Sequence, residues 1–202
     1  MKQGLIVILK FLAFLLILPL TIASVLAFQN QILSIPAVQE QWFLWGVVIF
    51  LLVYVFLYNF KEVYVFGQSI VGGLFKFFQP LANIAGLIIP IYTILALSVF
   101  LIVHVVDVSA KYEGYLLLVL GFSVAMHIVL TALQLYEADS SSIKGEYLFN
   151  FGLALVANLF IMSLLLGFAI PEFSFVGFLK TLSGHTASYY TAIYRLLFVS
   201  PT

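Results

Sequence analysis

Charged residues along this chain fall in clusters, and long apolar stretches separate them. Residues 11–39, 41–60 and 147–171 carry no Lys, Arg, Asp, Glu or His. Residues 77–106 hold only His104 and residues 114–136 only His127. A helix needs about 20 apolar residues to cross a hydrocarbon layer about 30 Å thick. Backbone groups in lipid must bond within their own segment, so such runs predict helices. None shows the two-residue alternation of a membrane β-barrel. Five spans follow: 5–28, 42–60, 81–106, 114–136 and 147–170. Pro80 and Pro90 are placed to bend the third.

Two further stretches are apolar but interrupted. Residues 63–78 are short and contain Gly67, Gly72, Gly73 and Lys76, which suits a re-entrant or tilted helix. Residues 173–199 carry Lys180, His185 and Arg195 at intervals, as in an amphipathic C-terminal helix or a further broken span. The expected fold is all-α: one polytopic membrane domain over 1–202, with five to seven embedded helices. Lys2, the apolar stretch after it and Val25-Leu26-Ala27 have the form of a secretory signal; the segment is read as an uncleaved anchor. Lys2, Lys10, Lys61 and Lys144 alternate with a Lys-free loop at 29–41 and with Lys111. This places the N-terminus in the cytoplasm, with a bacterial inner membrane as the expected location.

Composition narrows the class. Of 202 residues, 64% are hydrophobic and 8% charged, against about 25% charged in a typical soluble domain. A water-soluble enzyme of this size could not cover its surface with so few charges. Eight basic and eight acidic residues cancel, leaving no basic patch for a nucleic-acid backbone. Without cysteine there is no disulfide framework and no thiolate metal site. No internal repeat supports an inverted-repeat transporter.

One stretch has a distinctive cadence: Tyr64-Val65-Phe66-Gly67-Gln68-Ser69-Ile70-Val71-Gly72-Gly73-Leu74. After it come Pro90-Ile91-Tyr92-Thr93, Gly121 to Thr131 around His127, Glu137-Ala138-Asp139, Gly145, Tyr147-Leu148-Phe149 and Asn158. This order resembles the site-2-protease-like intramembrane zinc metallopeptidases over about residues 55–170. The resemblance implies a helix that carries H-E-x-x-H, two histidines on one face for zinc with a glutamate as general base. Here those positions are Gln68, Ser69 and Gly72. Asp139 matches the place of the family's third ligand, but a catalytic zinc takes three protein ligands. The substrate-presenting segment is also reduced to a few residues before Pro80. What the resemblance implies is therefore a pseudopeptidase without zinc or catalysis.

The remaining candidates have two readings each. Gly67, Gly72 and Gly73 suit close helix packing, which small residues permit in membranes. Gln68 suits a hydrogen bond to a neighbouring helix. His127 suits either a buried bond, with Asn158 as a partner, or ligation of a haem or pigment. His104 and His127 lie roughly 15 Å apart in depth at about 1.5 Å per residue, which makes them a poor axial pair. Asp107, Glu113, Glu137, Asp139 and Glu146 fall near span ends as solvated charges, and loop 137–142 lacks the spacing of a calcium-binding loop. The expected function is a non-catalytic accessory or structural subunit of a larger membrane complex, with other membrane subunits and lipids as partners. The alternatives are a pigment- or haem-binding electron-transfer subunit, an intramembrane peptidase with an altered site, and a small transporter.

Overall fold

The computed structural model describes the backbone of residues 2–77, 79–105, 109–141 and 144–198, and most side chains within them. Asp107 and Ser142 lie outside the described residues, as do Phe78, Val199 and the side chains of Lys2, Lys111 and Pro80. The described chain is all-helical. Its eight helices are α1 (Lys2–Ile32), α2 (Ala37–Phe56), α3 (Lys61–Leu74), α4 (Gln79–Ile88), α5 (Ile91–Val105), α6 (Ser109–Ala138), α7 (Gly145–Ala169) and α8 (Phe175–Phe198).

Four stretches are long and apolar enough to cross a membrane: Gly4–Ile32, Ala37–Phe56, Tyr112–Ala138 and Gly145–Ala169. They take up most of the runs 11–39, 41–60, 114–136 and 147–171, where no charged side chain other than His127 opposes an apolar helix. The stretch expected as one span over 81–106 is two helices, of 10 and 15 residues. Pro90 separates them. Proline has no N–H to donate, and its ring clashes with the preceding turn. The effect at Pro90 is therefore a break and not a bend. Pro19, by contrast, lies within the continuous α1.

Contacts order the helices end to end. Lys10 of α1 pairs with Glu146 at the start of α7, and Gly152 further along α7 faces Phe14, Ile17 and Thr21. So α1 and α7 run in parallel. Helices α2 and α6 do likewise: Trp42 lies on Gly114, and Phe50 packs edge-on against Phe122 at 5.2 Å. Helix α8 returns along α1, since Gln31 accepts from the Ser174 N–H and the Tyr190 hydroxyl donates to the Leu16 carbonyl. Those two contacts are 15 residues apart on α1, about 22 Å of helix.

The core forms where the two parallel pairs meet. Phe43, Leu97, Phe100, Leu117, Leu120, Met162 and Leu166 make one buried cluster, and Phe50, Tyr64, Ala125, Met126 and Leu130 another. Two glycines set the α2–α6 seam. A Cβ on Gly46 would overlap the Leu118 carbonyl, and one on Gly121 would overlap the Phe43 carbonyl. Backbone approaching backbone this closely is what small residues permit between membrane helices.

Candidate functional site: a polar clamp at a broken helix

The sequence logic of the site begins with Pro90. In an unbroken helix, residue 90 would donate to the Gly86 carbonyl and Ile91 to the Leu87 carbonyl. Pro90 cannot donate, and Ile91 bonds instead to the Ile89 carbonyl at 3.0 Å. Two carbonyls at the C-terminal end of α4 therefore lose their helical partners. A buried carbonyl left unbonded costs about 1–3 kcal/mol.

Side chains from two other helices take over. Gln68 of α3 donates through Nε2 to the Gly86 carbonyl at 3.2 Å. Asn158 of α7 donates through Nδ2 to the Leu87 carbonyl at 3.1 Å. Asn158 is 1% exposed and lies near the middle of α7. Its Oδ1 is 3.0 Å from His127 Nε2 on α6, so the carboxamide joins α4, α6 and α7 at one point. Gln68 also donates to Gln134 Oε1 at 2.7 Å. Beside them the Tyr64 hydroxyl meets the Thr131 hydroxyl at 2.6 Å, and the Tyr92 hydroxyl donates to the Val63 carbonyl. Thr93 and Ser163 are fully buried, and their hydroxyls have no partner among the described residues.

The expected site residues do not form one centre. Gln68 and Asn158 belong to the clamp and Asn158 holds His127. Ligation of a metal through His127 Nε2 would break that bond. Ser69 is exposed and donates to the Phe66 carbonyl within its own helix. Gly67 is buried against the Tyr92 ring and Ile91. Gly72 is half-buried, while Gly73 is exposed and a Cβ there would meet nothing within 4 Å. His104 is exposed and stacks on Phe100. No cluster of three His, Asp or Glu side chains with metal-holding geometry exists among the described residues.

Asp139 does a separate task. Its Oδ1 accepts from the Ser141 N–H and its Oδ2 from the Tyr147 N–H, both at 2.8 Å. Tyr147 is in the first turn of α7, where backbone N–H groups have no helical acceptor. Lys144, in the left-handed conformation at φ 52°, precedes the helix and donates to the Asp139 carbonyl. Burial alone would raise the Asp139 pKa. Hydrogen bonds from Ser141 and Tyr147 and the Lys144 charge outweigh it, so the carboxyl is held below its usual value of 3.8.

The residues that the sequence reading passed over are Pro90, as the cause of the break, and the packing glycines Gly46, Gly114 and Gly121. Gly114 and Gly121 are seven apart, on one helix face, which is the signal that could have found them. No protein-family model, no curated protein and no solved structure matches this chain.

Proposed function

We propose that the chain is a membrane-embedded, non-catalytic scaffold subunit of a larger membrane assembly, and that it docks its neighbour through α8. The outward face of α8 carries this reading. Lys180, Ser183, Gly184, Ala187, Ser188 and Thr191 are all exposed. They recur at three- and four-residue intervals, so they form one stripe. The stripe runs alongside the stretch of α1 from Leu16 to Gln31, which is free of charge. Lipid tails give hydroxyls and a bare glycine backbone nothing to bond with, whereas a partner helix can approach a small-residue face closely.

In this reading α1, α2, α6, α7 and α8 cross the bilayer, and α4 with α5 makes one broken crossing. Six crossings return both chain ends to one side. Lys10, Lys61, Lys144 and Arg195 fall at that side and Lys111 and Lys180 at the other, a bias that supports a cytoplasmic N-terminus. The pseudopeptidase reading fits the same picture. At the position the resembled family gives to a zinc-binding histidine, Gln68 bonds a carbonyl freed by the break.

The test is the native mass of the chain after gentle solubilisation of its own membrane, with Gly184→Leu as the variant. A Cβ at Gly184 meets nothing within 4 Å and leucine is the better helix former, so the isolated variant should unfold at or slightly above the wild-type temperature. The wild type should migrate in a large assembly and the variant outside it. A wild-type chain that migrates as a monomer would refute the proposal.

A further inference from the structure

Helices α1 and α2 are consecutive, yet each packs elsewhere: α1 on α7 and α8, α2 on α6. Between them lies a groove of about 550 Å³ with walls from both helices and a floor of α6 and α7. Phe28, Phe43, Val47, Ile128 and Leu155 line it, and its polar groups are Gln29 and Glu40. Both sit at the end where the α1–α2 turn lies. From Glu40 to Leu51, the last α2 residue in the wall, the groove follows about 16 Å of helix. Its volume is in the range of small-ligand sites, about 300–1,000 Å³, but its walls offer almost nothing to a polar solute.

We propose that this groove holds the hydrocarbon chain of a membrane phospholipid whose headgroup carries a primary ammonium, seated beside Glu40. The inference rests on the reading that the chain spans a membrane. The length and apolar lining select a hydrocarbon chain that lies along the helices. The charges select the headgroup. Glu40 has no basic partner among the described residues, whose two ion pairs, Lys10–Glu146 and Lys61–Glu137, are at the opposite end. At the groove-mouth end Glu113 is engaged by Gln39 Nε2 at 2.7 Å. Glu40, Glu113 and Glu172 fall at that end, and its lysines are Lys111, in the first turn of α6, and Lys180. An anionic headgroup would meet like charge at the mouth, and an ammonium would meet the free carboxylate.

Native mass spectrometry of the full chain in detergent, with added phosphatidylethanolamine or phosphatidylglycerol of equal chain length, tests this. The ethanolamine lipid should be retained roughly fivefold more, the upper range for a solvent-exposed ion pair. Glu40→Gln should bring the ratio to about one. Leu44→Trp, at the exposed rim of the groove, should lower retention of both lipids. Equal retention by the wild type, or retention unchanged in Leu44→Trp, would overturn the proposal. A chain that stays folded and soluble without detergent would instead overturn the membrane reading beneath it.

Discussion

Replacing Asn158 by Leu keeps the side-chain volume nearly constant and removes the carboxamide that joins three helices. Two bonds go at once, 3.1 Å to the Leu87 carbonyl and 3.0 Å to His127 Nε2. Each orphaned buried group costs about 1–3 kcal/mol in a water-soluble protein. Within membranes the measured value of a side-chain bond averages about 0.6 kcal/mol and reaches about 1.7, because the unfolded helices also find partners. His127 is 3% exposed, so its ring cannot turn to water and the upper membrane value applies to that bond, while the bond to the half-buried Leu87 carbonyl takes a value nearer the average. Asn158→Leu should therefore lower the unfolding free energy by about 2–3 kcal/mol, read by equilibrium unfolding in mixed micelles. His127→Leu alone should cost less, since it orphans only the Asn158 Oδ1 while Nδ2 keeps its bond to the Leu87 carbonyl. The double variant should cost less than the sum by about 1 kcal/mol. A loss below about 0.5 kcal/mol would show that the carboxamide does not hold the break, and strict additivity would show that it is not coupled to His127.

Pro90→Ala restores the missing N–H, so Gln68→Leu should destabilise the Pro90→Ala background less than the wild type; equal losses in the two backgrounds would refute the capping role of Gln68. Gly46→Ala and Gly121→Ala should each cost about 1–3 kcal/mol through overpacking, whereas Gly73→Ala, facing open space, should be neutral or gain up to about 1 kcal/mol of helix propensity; thermal unfolding in detergent separates them. Asp139→Ala should cost about 0.5–2 kcal/mol at neutral pH, the value of a helix cap, and Asp139→Asn, which keeps one acceptor oxygen, should cost less. Since the Asp139 pKa is lowered on folding, its contribution is complete above the ordinary value of 3.8 and is lost as pH falls through the folded value. The acid limb of stability should therefore flatten in Asp139→Asn, and a limb unchanged from the wild type would count against the cap.

The long helices were legible because their cause is local. A charge-free run such as 147–171 leaves the backbone one inexpensive arrangement in an apolar setting, and α7 follows it. The break was harder to see. Pro90 announces itself, but bend and break differ only in whether other chain segments can bond the freed carbonyls. Gln68 and Asn158 lie 22 residues before and 68 residues after it. Their roles depend on which helices become neighbours, and a single sequence does not state that. The expected bond between His127 and Asn158 came from their polarity within apolar spans. The expected link of both to a ligand drew on no pairing rule. At Gly73 no other part of this chain approaches: a small residue permits close packing, but only a neighbouring backbone decides whether packing occurs.

A break within an apolar helix can serve two purposes. Its freed carbonyls can be offered to an ion or substrate, or they can be closed by the protein itself. Here the Gly86 and Leu87 carbonyls are both engaged, and their donors come from α3 and α7, on separate parts of the chain. A ligand at this break would have to displace two hydrogen bonds in a setting that water does not readily refill. Such an arrangement favours one fixed geometry over exchange. It ties α3 and α4 to α6 and α7, and the small and polar residues Lys180, Ser183, Gly184, Ser188 and Thr191 of α8 remain on the outside. Chemistry that is consumed inside and displayed at the rim suits a part that holds its shape so that something else can bind to it.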